Sequence, residues 1–201
     1  MNPSGSIADG KSWLAVIDLQ HVFADPASPW AAPRFAEIVE PVTRLVDAFA
    51  DRAVFTRFLA PVAPRGAWRA YYADWSFALV AAGDPLYRLV PRFSSYEGTA
   101  VDATTFGKWP VLARRVGAPD RLVVCGVATD CCVLSSVLAA ADAGVEVLVV
   151  AEACAGSTDA AHERALAAMS LYAPLVRIVS TAEVLADEVS AAEVVAEKGD
   201  R

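Results

Sequence analysis

The apolar positions along the chain fall into two alternating periods. Trp13-Leu-Ala-Val-Ile17 is a short apolar run closed by Asp18, as a buried strand would be. Phe35, Ile38, Val39, Val42, Leu45, Val46 and Phe49 then recur at helical spacing. Ala53-Val-Phe-Thr56 predicts a second strand ending at Arg57, and Thr99-Ala-Val-Asp-Ala103 a third. Lys108 to Val116 reads as a short helix, and Leu122-Val-Val-Cys125 as a fourth strand. From Cys131 the apolar residues Val133, Leu134, Val137, Leu138 and Ala141 trace a helix that Gly144 stops. Val145–Val150 and Leu175–Val179 predict two more strands, with a helix over His162–Met169 between them and a final helix from Thr181.

Strands alternating with helices at this interval imply an α/β fold: three α-β-α layers around a doubly wound, six-stranded, mainly parallel sheet, Rossmann-like in plan. The 201 residues suit a single domain, with residues 1–11 expected as a mobile leader and 186–201 as an acidic tail. Two segments break the rhythm. Residues 21–33 carry three prolines and read as a loop. Residues 59–98 hold Pro61, Pro64, Pro85 and Pro91, and an aromatic cluster of Trp68, Tyr71, Tyr72, Trp75 and Phe77. So long a connection suits a lid or pocket wall, or a surface helix that packs its rings on the core.

Composition narrows the partners. A net charge of −7 with no basic stripe speaks against nucleic acid. No apolar run approaches the roughly 20 residues of a membrane span. The first residues lack a signal-peptide pattern, so a cytoplasmic location is expected. Cysteines 125, 131, 132 and 154 then read as free thiols, with Cys125 and Cys154 structural. There is no Cys-x-x-Cys pair and only two histidines, His21 and His162, so a structural zinc site is not expected.

In such sheets ligands sit beyond the carboxyl ends of the strands, where Asp18, Arg57, Ala103 and the turn before Cys132 converge. The turn at Gly126–Asp130 offers Thr129 and Asp130 as helix caps. A thiol at the following helix start would meet free N–H groups and the positive dipole end, which favour thiolate. Cys131 and Cys132 point about 100° apart, so at most one faces the crevice, and periodicity does not choose between them. Asp18, after an apolar run, could exchange a proton with that thiol.

Gly126-Val-Ala-Thr-Asp-Cys-Cys-Val133 resembles the nucleophile turn of the isochorismatase-like cysteine hydrolases, which include nicotinamidases and N-carbamoylsarcosine amidohydrolase. Val16-Ile-Asp-Leu-Gln20 resembles the family's opening strand, and Ala140–Gly144 with Val149–Ala155 its helix and fifth strand. The resemblance implies Cys132 as nucleophile and Asp18 as proton shuttle. It also implies a cis Val127–Ala128 peptide, with the N–H groups of Ala128 and Cys132 as the oxyanion hole. The family's catalytic lysine would stand at Ala103; the nearest candidate is Lys108. Phe23, Arg57 and Trp109 are candidates for substrate contact, and His21 for the pocket lining. The nicotinamidase metal ligands have no counterpart in Phe55-Thr-Arg-Phe-Leu59, so no metal and no cofactor are expected.

The expectation is therefore a hydrolase of a small amide or ureido compound acting through a thioester, in a homo-oligomer as family members commonly are. The alternatives are a weak or inactive member that binds a small molecule or partner protein, and a vinyl-ether hydrolase of the isochorismatase type. A nucleotide-binding Rossmann protein is disfavoured, because the turn after Cys125 lacks Gly-x-Gly-x-x-Gly.

Overall fold

The computed structural model describes residues 12–117 and 119–199, the last nine of them by backbone alone. Six parallel strands form one sheet: β1 (Ser12–Ile17), β2 (Ala53–Phe58), β3 (Val101–Ala103), β4 (Arg121–Val127), β5 (Glu146–Ala155) and β6 (Val176–Val179). Their order is β3-β2-β1-β4-β5-β6. Every neighbouring pair is parallel, so each crossover needs a helix and both faces must be covered. β1 is therefore central, and the chain reverses direction across the sheet between β1 and β4. A crevice opens at such a switch point, beyond the carboxyl ends of those two strands.

The helices are α1 (His21–Ala24), α2 (Phe35–Phe49), α3 (Trp68–Asp74), α4 (Trp109–Val116), α5 (Leu134–Asp142), α6 (Asp159–Ser170) and α7 (Thr181–Gly199). α2 packs on β1, β4 and β5 and against α7, while α4, α5 and α6 pack side by side on the other face. The α2 stripe of Phe35, Ile38, Val42, Leu45, Val46 and Phe49 is buried, as its spacing predicts. β1 and β4 are covered on both faces, so Leu14–Ile17 and Leu122–Cys125 form the centre of the core.

Several boundaries move. α7 continues to Gly199, through the segment expected as an acidic tail, and the leader expected at 1–11 lies outside the described residues. β5 runs five residues beyond Val150, to Ala155. The 59–98 connection contains α3 and several short 3-10 turns rather than a featureless loop. Tyr87, whose hydroxyl donates to the Ala78 carbonyl, and Gln20 tie this connection down. The buried Gln20 side chain donates to the carbonyls of Phe58 (3.0 Å) and Tyr87 (2.7 Å) and accepts from Phe58 N–H (2.7 Å). One amide thus holds the ends of β1 and β2 and the distant loop together.

Among the described residues no helix is long and apolar enough to cross a membrane.

Candidate active site

β1 and β4 approach most closely where the site begins. Gly126 has φ +115°, and a Cβ there would lie 2.1 Å from the Ile17 carbonyl oxygen. Only glycine allows the two backbones to come this near. Asp18, the next residue on β1, is itself left-handed at φ 54°, a conformation aspartate adopts at a cost of about 1–2 kcal/mol. Thr56 of β2 holds it: the Thr56 hydroxyl donates to Asp18 Oδ1 at 2.6 Å, and Asp18 N–H donates to Thr56 Oγ1 at 3.2 Å. Asp18 Oδ2 makes no aligned hydrogen bond among the described residues; it stands 3.0 Å from the ammonium of Lys108.

Asp18 and Lys108 are both fully buried, at 0% exposure. A buried pair is stable only when its remaining donors and acceptors are satisfied. Lys108 Nζ donates to the Thr105 carbonyl at 2.9 Å and lies 4.7 Å from the Phe58 ring centroid, a cation–π contact. Lys108 precedes the first turn of α4, an unfavourable place for an exposed cation, and its side chain instead turns inward to Asp18. Ala103, where the family lysine was expected, ends β3 and accepts a hydrogen bond from Leu59 N–H. Lys108 stands five residues later, just before α4.

Cys132 sits in a π-helical turn, Thr129–Val133, that precedes α5. The N–H groups of Cys131 and Val133 converge on the Ala128 carbonyl at 3.0 and 3.1 Å, with Cys132 between them. The Val127–Ala128 peptide before this turn is cis. Thr129 and Asp130 do not cap the helix with their side chains, contrary to the sequence expectation. Thr129 Oγ1 is hydrogen-bonded to His162 Nδ1 at 2.9 Å, and Asp130 accepts from Ser157 N–H (2.8 Å) and Ser157 hydroxyl (2.7 Å). Thr129 is thus drawn to α6 and Asp130 to the connection between β5 and α6.

The surroundings of the Cys132 thiol disfavour its charged form. Burial pushes Cys132 well above the ordinary thiol range; Lys108 pulls it back, and Asp18 adds to the rise. Desolvation therefore outweighs the helix-end effect that favoured thiolate. Cys131 is also raised, to about 11, first by burial and then by the charge of Asp130. Cys125 and Cys154 are buried within the core, and burial raises both.

Above the thiol lies a cavity of about 330 Å³, near the lower end of small-molecule sites. Ala128, Cys131, Cys132, Asp130 and Ser157 form its base, and the rings of Phe23, Trp30, Phe58, Tyr71, Trp75 and Phe106 line it. Trp30 is the hub, with Phe77 at 5.0 Å, Phe58 at 5.6 Å, Tyr71 at 6.0 Å, Trp75 at 6.1 Å and Phe23 at 6.2 Å between ring centroids. Of the aromatics at 68–77, Tyr71 and Trp75 thus form part of a pocket wall, while Tyr72 is buried in the protein interior.

Of the predicted contacts, Phe23 lines the cavity, whereas Arg57, Trp109 and His21 are not among its lining residues. Strand alternation places Thr56 and Phe58 on the side that meets Asp18 and the pocket and Arg57 on the other. Arg57 makes a bidentate ion pair with Asp102, at 2.8 and 2.9 Å, and pairs with Glu97. Trp109 follows the inward-turned Lys108 by about 100° of helix and packs elsewhere on the core. Ser136 escaped the sequence reading. Its hydroxyl donates to the Cys132 carbonyl (2.6 Å) and accepts from Lys108 N–H (2.8 Å), joining the lysine to the thiol turn. A buried serine four residues after Cys132, on an apolar helix face, was the available signal.

Residues 12–183 match the isochorismatase domain. The chain belongs to the isochorismatase family. A comparison with curated proteins gives no match. Solved structures with the same fold include a cysteine hydrolase from Pseudomonas syringae pv. phaseolicola 1448A, with a TM-score of 0.77 at 20% identity over 90% of this chain and 94% of that one. A putative isochorismatase-family hydrolase from Chromobacterium violaceum ATCC 12472 gives 0.69 at 22%, over 94% and 100%. The nicotinamidase from Bacillus subtilis gives 0.68 at 18%, over 85% and 99%. At these identities the likenesses establish the fold, while the family match makes this isochorismatase-like protein a hydrolase. Among the described residues no group of three or more His, Cys, Asp or Glu is placed to hold a metal ion.

Proposed function

We propose that this isochorismatase-like protein is a cysteine hydrolase that cleaves a C–N bond of a small amide or ureido compound through a thioester. One observation carries the reading. Asp18 and Lys108, from two separate connections, form a fully buried ion pair that acts electrostatically on Cys132, and Cys132 lines an aromatic cavity. Burying an ion pair beside a thiol is costly for a binding protein, and perturbed groups of this kind cluster at catalytic sites.

Asp18 takes the thiol proton as the sulfur attacks the substrate carbonyl. The N–H groups of Ala128 and Cys132 receive the developing oxyanion, and the Lys108 charge stabilises it. Collapse breaks the C–N bond, and Asp18 returns the proton to the departing nitrogen. Water then attacks the thioester with Asp18 accepting its proton, the acid leaves, and the thiol is restored.

Ammonia release from a panel of small amides and ureides, measured for Cys132→Ala and Cys131→Ala, tests the assignment. Cys132→Ala is expected to lose more than about 10³-fold in kcat/KM, because a missing nucleophile removes the pathway. Cys131→Ala should keep most of its activity. An active Cys132→Ala protein would sink the mechanism, and loss only in Cys131→Ala would move the nucleophile by one residue.

A further inference from the structure

The cavity carries a charge pattern that the hydrolytic chemistry does not require. Its lining combines six aromatic rings with one carboxylate, Asp130, and includes no arginine or lysine. Basic side chains of the surrounding elements are paired with acids of their own: Lys108 with Asp18, Arg57 with Asp102 and Glu97, and Arg34 with Glu37. Asp130 accepts two hydrogen bonds from Ser157, one at each oxygen, which hold the carboxylate against the cavity without neutralising it. Ring faces are electronegative, and a desolvated ring wall beside a carboxylate favours a cation. An anionic ligand would meet Asp130 with no partner for its own charge, at a cost in desolvation and repulsion.

We infer that the cavity selects substrates by charge, taking a compact alkylammonium group in preference to a neutral group of the same shape and excluding carboxylates. This deepens the cysteine-hydrolase reading and rests on it for the word substrate. The implied substrate is a small amide or ureide whose non-reacting end is a quaternary or tertiary ammonium. The cavity of about 330 Å³ limits that end to a few carbons around the nitrogen. Trp30, at the hub of the wall, and Tyr71 and Trp75 of the 68–77 segment supply rings to the lining.

The test uses three probes of nearly one shape: choline, its carbon isostere 3,3-dimethylbutan-1-ol, and the anion 3,3-dimethylbutanoate. Binding to the intact protein is followed by the fluorescence of its tryptophans at constant ionic strength, without any turnover. Choline should bind at least about tenfold more tightly than the alcohol, with the carboxylate weakest. In Asp130→Asn, with folding checked by its melting curve, the preference for choline over the alcohol should fall severalfold while affinity for the alcohol stays the same. Equal binding of choline and the alcohol, or tighter binding of the carboxylate, would overturn the inference. So would an unchanged preference in folded Asp130→Asn. If that variant does not fold, the probe series on the unaltered protein decides. Because no step of catalysis is read, failure of the hydrolase mechanism would show in ammonia release and leave these binding ratios intact.

Discussion

The floor of the site, where Cys132 lines the cavity and the Asp18–Lys108 pair is buried beside it, and the aromatic wall are built on opposite principles. Asp18 and Cys132 follow the central strands β1 and β4, and Lys108 is locked by Asp18, Thr105, Phe58 and Ser136. Asp18 and Lys108 are each held by atoms from at least two other elements, so their positions are over-determined. The wall comes from the irregular connections at 21–33 and 68–77 and from Phe106, and its rings hold one another by offset and edge contacts. Such contacts contribute only about 0.5–1.5 kcal/mol each beyond burial, with broad geometric tolerance. The proposed chemistry, which needs accuracy of tenths of an ångström, rests on groups fixed near strand ends. The proposed selection, which must adapt to a ligand, rests mainly on connections between elements.

That contrast can be broken in several ways. Lys108→Met leaves Asp18 as a buried, uncompensated carboxylate and is expected to destabilise the fold by about 3–5 kcal/mol in urea unfolding. Adding Asp18→Asn should recover much of the loss, because the unpaired charge is then gone. If the single variant is as stable as the parent, the floor is not the rigid element described.

Trp30→Ala should be smaller in its effect on stability, about 2 kcal/mol, since Trp30 is only half-buried. Its signature is functional: KM rises severalfold while the alkylation rate of Cys132 stays near that of the parent. A Trp30→Ala protein with altered thiol reactivity would show that wall and floor are one unit.

Ser136→Ala removes the tie between Lys108 and Cys132 and should cost about 1–2 kcal/mol, with kcat lowered and KM unchanged. Equal loss in kcat and gain in KM would place Ser136 with general packing instead.

The mildest probe is pH. Burial raises Cys132, so its thiolate fraction, and its rate with iodoacetamide, should climb about tenfold per unit of pH through the ordinary thiol range near 8.5. A plateau below that range would mean that the helix end and Lys108 outweigh desolvation.

Much of this molecule was legible in local patterns. Apolar runs of strand and helix period located β1, α2, α4 and β4 to within a few residues, because a sheet buried on both faces leaves little freedom in its composition. The thiol turn was legible too, since close approach at Gly126 demands a glycine and leaves a motif. Asp18 stood out as a carboxylate ending an apolar strand.

What the sequence did not reveal depends on direction rather than on composition. Arg57 and Phe58 are neighbours in the chain, yet the pleat sends one to Asp102 and the other to the cavity. Lys108 and Trp109 are likewise adjacent, and the start of α4 turns only the lysine to Asp18. Thr129 and Asp130 had the chemistry of helix caps, but His162 and Ser157, more than 25 residues away, claim them. Burial also biases the Cys132 thiol against the charged form that the helix end favours, because a helix end is a local feature and burial is not. The residues alone determined which groups were available for chemistry and the strands that carry them. Tertiary structure decided which groups meet and which meet solvent, because contact and desolvation arise only when distant segments pack together.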